Sequence, residues 1–266
     1  VEIGLKNITF RYQEARNPVF TQLSARLSLK GFNAFFGLSG SGKSTLARLI
    51  AGLESPCSGS IEMARGASSS RGILYSWNGE RLPGWQRIID HLHRVTPEES
   101  YGLLDELTKQ FGIEDLLLHR FSRLSMGQKN RVNLVRYLVQ DSGLLIMDEV
   151  LANVDEPMRH HILACIKRTF PDRDIVYIAH SAAEVAAFAA RVFILPQPGE
   201  EGISSIMEAE GLDLGEIQEI DQRTQELIRQ KSMELLEKAS SSTLLNPFAQ
   251  GQTSRPAASI DGRDGL

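Results

Sequence analysis

The segment GLSGSGKST, Gly37 to Thr45, packs three glycines, four hydroxyl side chains and one lysine into nine residues. It follows the apolar run FNAFF and opens a segment with helical periodicity, the strand–loop–helix setting that a phosphate-binding loop requires. Gly37, Gly40 and Gly42 can take backbone angles closed to other residues. Successive N–H groups, with Ser39 and Ser41 between the glycines, can then turn inward on an anion beside a helix N-terminus. Lys43 adds a cation for β- and γ-phosphates, and Ser44, next to Thr45, offers a hydroxyl to Mg²⁺.

A second chemical signal is LLIMDE, Leu144 to Glu149, an apolar strand ending in two carboxylates. Burying such groups is costly unless a cation or water meets them. Beside a phosphate loop, at the C-terminal edge of a parallel sheet, Asp148 can hold Mg²⁺ through water while Glu149 polarises an attacking water. A third signal, LSMGQ, puts Ser125 and Gly127 at the first turn of a predicted helix, followed by Gln128. A helix N-terminus attracts anions, and a serine there also serves as an ordinary N-cap.

These groups need a scaffold, and the hydrophobic pattern supplies one. Residues 1 to 35 read as half-exposed, antiparallel strands, with Leu23, Ala25, Leu27 and Leu29 alternating with polar neighbours. From Phe32 onward the strands are short and nearly continuously apolar: FNAFF, GILY, LLIM, IVYIA and VFIL. Helices are predicted between them at Ser44–Leu53, Gly127–Gln140, Glu156–Phe170 and Ser181–Ala190. The alternation specifies an α/β fold: a mostly parallel sheet with crossover helices, an N-terminal antiparallel β subdomain and an inserted helical subdomain at about 85–140. Residues 1–196 form the main domain in this reading. PQPGEEG starts a linker over 197–215, an amphipathic helix covers Glu216 to Ala239, and a Ser-, Gly- and Pro-rich tail, expected to be disordered, covers 240–266.

Composition excludes several classes. Apolar residues make up 42% and charged residues 23% of the 266, near the globular average, which argues against wholesale disorder. A net charge of −4 lacks the basic excess of a nucleic-acid-binding chain. Cys57 and Cys165 form neither a disulfide framework nor a metal cluster, which favours a reducing compartment. The most apolar stretch, Ala182 to Leu195, carries Glu184 and Arg191 and is too short to span a bilayer. No basic patch followed by an apolar run marks the N-terminus, so cytoplasm is the expected location.

The phosphate loop, LSMGQ and LLIMDE, in this order and spacing, resemble the ATP-binding cassette (ABC) ATPase family over residues 1 to about 196. The resemblance implies a P-loop NTPase core that binds ATP and Mg²⁺, with Glu149, His180 and Lys43 catalytic and Ser44 and Asp148 at the metal. It implies that Tyr12 stacks on adenine, that Ser125, Gly127 and Gln128 act on ATP held by a second subunit, and that Asp155 in LANVD lies in the loop joining the two sites. His180, after IVYIA, matches the residue that contacts the γ-phosphate. The implied partners are transmembrane permease subunits, a second ATP-binding subunit in a homo- or heterodimer and, indirectly, a substrate-binding protein. The implied location is peripheral, on the cytoplasmic face of the inner membrane, with no nucleic acid partner.

Three positions depart from the family pattern. Ser76 matches the position of a glutamine that contacts Mg²⁺ and the permease, Val150 replaces a proline, and Ala190 replaces an aspartate. The RLPGW segment, the compact stretch from Lys43 to Ser125 and the tail GLDLGEIQEIDQRTQELIRQ resemble the nitrate, taurine and aliphatic sulfonate importer branch. Ser76 leaves room for a weakly hydrolysing, regulatory cassette in a heteromeric transporter. A non-transport member of the family would need two cassettes or a long coiled-coil insertion, and the sequence has neither.

Overall fold

The computed structural model describes residues 1–63, 72–215 and 221–240. Two sheets organise it. Strands β1 (Glu2–Phe10), β2 (Phe20–Ser28) and β4 (Ser58–Met63) form an antiparallel sheet in the order β2-β1-β4. The main sheet runs β5-β6-β7-β3-β8-β9, from β3 (Phe32–Phe36), β5 (Ile73–Trp77), β6 (Leu144–Asp148), β7 (Ile175–Ile178), β8 (Arg191–Ile194) and β9 (Met207–Glu210). All its neighbours are parallel except β8 and β9.

The main sheet is apolar on both faces because two cores cover it. Phe32, Ala34 and Phe36 of β3, Leu145 and Met147 of β6, and Val192 and Ile194 of β8 face the helices α2 (Ile88–Val95), α3 (Tyr101–Gln110), α4 (Met126–Leu138), α5 (Glu156–Thr169) and α6 (Ala182–Phe188). The alternate residues Phe35, Leu144, Ile146, Val176 and Phe193 face α1 (Lys43–Ile50) and the antiparallel sheet. The period of two in each strand thus feeds two cores.

The expected linker over 197–215 is corrected: it contains β9, hydrogen-bonded to β8 from Arg191↔Glu210 to Ile194↔Met207. β4 was not anticipated either. Both are polar edge strands, with only one buried side chain between them, Ala209, so neither shows the apolar run that marks a central strand. The C-terminal helix α7 spans Gln222–Ser240 and buries Leu235 and Ala239 against the main core. The expected start of that helix, 216–220, and the expected tail beyond Ser240 lie outside the described residues.

Candidate functional site

The phosphate loop leaves the C-terminal end of β3 and enters α1 at Lys43. Gly37 sits at φ 157°, and a Cβ there would stand 2.4 Å from the Leu195 carbonyl oxygen and 2.5 Å from Ser41 Oγ, so only glycine fits. Gly40 and Gly42 also have positive φ, and the Ser41 N–H donates to the Leu38 carbonyl at 3.1 Å, closing the turn that contains Ser39. Lys43 is buried. Its Nζ donates to the carbonyls of Gly37 at 2.8 Å and Leu38 at 3.0 Å. Burial lowers the lysine's pKa, and Glu149 and Asp148 oppose that shift by favouring the ammonium.

Asp148 ends β6 against this loop. Its Oδ1 accepts from Ser44 Oγ at 3.0 Å and its Oδ2 from the Tyr75 hydroxyl. Hydroxyl and carboxylate oxygens at this separation are the donors a hard cation such as Mg²⁺ selects. Among the described residues no group of three His, Cys, Asp or Glu side chains could hold a metal alone, so such an ion would take its remaining ligands from phosphate and water.

Glu149 follows in the left-handed region, at φ 53°. A non-glycine residue there costs of order 1–3 kcal/mol. The bend turns its carboxylate toward β7, where Oε1 lies 2.9 Å from His180 Nε2. Glu149 and His180 line one wall of a cavity of about 180 Å³ that also touches Arg159, Tyr177 and Glu184. Glu184 is buried and accepts from Arg159 Nε at 2.7 Å and from the Tyr177 hydroxyl at 2.9 Å, which supplies the charge and hydrogen bonds its burial demands. Arg159 Nη1 also donates to the Val154 carbonyl at 2.7 Å, linking the 151–155 loop to the helix after His180.

Tyr12 stands beside the loop: its hydroxyl and Thr45 Oγ1 are 3.1 Å apart, and its ring lies edge-on to Phe10. Tyr12 is 36% exposed. Ser125 and Gln128 form a reciprocal cap at the start of α4, the N-cap geometry that a serine at this position favours. Ser125 Oγ accepts from the Gln128 N–H at 3.3 Å, and Gln128 Oε1 accepts from the Ser125 N–H at 2.9 Å. Gly127 is required by contact, since a Cβ would stand 2.3 Å from the Asn153 carbonyl oxygen. Asp155 caps α5, its Oδ1 accepting from the Met158 N–H at 3.1 Å.

Ser76 is corrected. It pairs with Met147 inside the sheet and is fully buried, with no hydrogen-bond partner for its hydroxyl among the described residues, so it cannot reach a bound nucleotide. The polar residue that leaves β5 beside Asp148 is Asn78. Its N–H donates to the Asp148 carbonyl at 3.0 Å, and its Oδ1 accepts from Asn130 Nδ2 at 3.0 Å and Asn153 Nδ2 at 3.1 Å. Val150 is buried in the main core, and the Ala190 N–H donates to the Phe32 carbonyl at 2.8 Å.

One contributor escaped the sequence reading, Tyr75. The signal for Tyr75 was present: a polar-tipped aromatic in the strand GILY, two residues before the end of a strand that closes beside carboxylates.

A family model described as ABC transporter matches residues 20–152, half of the chain. Curated relatives include the molybdenum import ATP-binding proteins ModC of Rhizobium etli, 36% identical over 68% of this chain and 56% of the relative, and of Mesorhizobium japonicum, 37% identical over 66% and 52%. The chain spans about half the length of these relatives. Similar folds occur in an inward-facing metal-chelate type ABC transporter, with TM-score 0.60 at 20% identity over 78% of this chain and 82% of that one. A bacterial Atm1-family ABC exporter with ATP bound gives TM-score 0.66 at 23% identity over 80% and 39%. The relatives above are molybdenum importers and not members of the nitrate, taurine and sulfonate branch.

Proposed function

Because the chain belongs to the ABC transporter family, we propose that it is the ATP-binding and ATP-hydrolysing subunit of an importer whose membrane passage is built by separate permease subunits. The reading rests on one observation: Lys43, Ser44, Asp148, Glu149 and His180 form a continuous chain of contacts and charge interactions along the C-terminal edges of β3, β6 and β7.

In this mechanism the phosphate-loop N–H groups and Lys43 bind the β- and γ-phosphates, where Lys43 exchanges the carbonyls of Gly37 and Leu38 for phosphate oxygens. Tyr12 carries the adenine. Ser44 and Asp148 would hold Mg²⁺, which supplies charge neutralisation at the phosphates. Glu149 accepts the proton of an attacking water and His180 orients that water or the γ-phosphate, their 2.9 Å contact fixing both. Ser125, Gly127 and Gln128 close the site of a second subunit, homologous or identical, and Asp155 lies in the loop between the two sites. The described helices include none long and apolar enough to cross a membrane, in keeping with a subunit that attaches peripherally through its partners, at the cytoplasmic face of the inner membrane.

Support for a reading of the cargo comes from the relatives and not from this site. Molybdenum importers among them favour a small oxyanion, with molybdenum's tetrahedral oxyanion first and nitrate or sulfonates behind it. Uptake of labelled molybdate, nitrate and taurine in cells lacking this chain tests the assignment. Selective loss of molybdate uptake, restored by complementation, supports it; loss confined to nitrate or taurine overturns it.

A further inference from the structure

We propose that Tyr75 is a positioning residue for the metal site, holding the Asp148 carboxylate in one orientation. The proposal rests on the reading of Ser44 and Asp148 as Mg²⁺ ligands and adds a residue that reading does not contain.

A carboxylate is an acceptor at both oxygens, and its terminal torsion is broad, so one hydrogen bond does not fix it. Asp148 receives two donors from different elements: Ser44 of α1 on Oδ1 and the Tyr75 hydroxyl of β5 on Oδ2. Removing Tyr75's donor leaves a nearly buried oxygen without its partner and lets the group turn away from Ser44. Sheet register places the phenol correctly. Trp77 pairs with Asp148, so Tyr75, two residues earlier, lies on the same face of the sheet as Trp77 and extends along it to the carboxylate.

The Arg48 guanidinium, one helical turn beyond Ser44 on the same face of α1, acts electrostatically on the phenol. Ser44 of α1 and Tyr75 of β5 thus hold Asp148 of β6 from two elements. Partners of this kind, behind a metal ligand, typically carry 10–100-fold in metal affinity.

The test is an Mg²⁺ titration of the purified chain, read by the fluorescence of a labelled ATP, with EDTA as the metal-free reference. Tyr75→Phe keeps the ring and removes the hydroxyl. The expected result is a half-saturating Mg²⁺ concentration raised about tenfold, with unchanged nucleotide affinity in EDTA. In an Asp148→Asn background, which itself raises the Mg²⁺ requirement, Tyr75→Phe should add nothing, because its effect passes through that carboxylate. An unshifted titration in the single variant, or an equal shift in both backgrounds, overturns the proposal. Should the unmutated chain bind labelled ATP with no response to Mg²⁺, the metal-site reading beneath the proposal fails instead.

Discussion

His180 Nε2 lies 2.9 Å from Glu149 Oε1, joining a residue two positions beyond β7 to the residue after β6 at the lining of a small cavity. Neither side chain is deeply buried, so the contact leaves room for a water and a phosphate oxygen. Replacing His180 with Ala should leave ATP affinity within a few fold and lower turnover by about 10²–10⁴, the usual cost of losing a positioned proton-transfer or orienting group. Separate measurements of nucleotide binding and phosphate release check this, and wild-type turnover in the variant would remove His180 from the mechanism.

Glu184 ties His180's loop to the rest of the site through Arg159 and Tyr177. Breaking a buried pair by removing one partner costs about 3–5 kcal/mol. Glu184→Ala should lose about that much in denaturant unfolding, because Arg159 is left half-paired beside the Val154 carbonyl. A change below 1 kcal/mol would show that water replaces the carboxylate at no cost.

Trp85 is 74% exposed, which makes it available to a partner and excludes it from the core of its own subdomain. If the segment 81–87 receives a permease element, Trp85→Ala should weaken copurification with the membrane subunits and leave the melting temperature and nucleotide affinity unchanged. A lower melting temperature with intact copurification would assign the side chain to stability instead.

Leu235 of α7 is fully buried against the main core. Leu235→Ala is expected to cost about 2–5 kcal/mol. Thermal unfolding of that variant, compared with Leu236→Ala on the exposed side of the same helix, separates packing from helix propensity. Equal effects would mean that α7 contributes no core.

The phosphate loop was legible because its chemistry is contiguous: nine residues carry the glycines, the lysine and the hydroxyl, and the flanking strand and helix are visible in the pattern. Asp148 and Glu149 were legible for a related reason, as carboxylates ending a buried strand. Tyr75 carried only a hint in GILY, because its contact with Asp148 depends on β5 lying next to β6 in a particular register, and the sheet order β5-β6-β7-β3-β8-β9 is far from sequence order. Ser76 was misplaced by counting along the chain. Strand alternation turns it to the face opposite Tyr75 and Trp77, and the polar residue that leaves β5 beside Asp148 is Asn78. Ser76→Gln is accordingly expected to overpack the sheet and lower stability by about 1–3 kcal/mol rather than restore a missing amide to the site. The strands β4 and β9 escaped because edge strands need little apolar surface.

If Glu149 is the base for ATP hydrolysis, the ATPase rate and nucleotide affinity of Glu149→Gln will show it. The substitution keeps the size of the side chain and its contact with His180 and removes the proton acceptor. The expected result is ATP binding within a few fold of the unmutated chain, turnover lowered by about 10²–10⁴, and accumulation of an ATP-bound dimer. Turnover near that of the unmutated chain would contradict it.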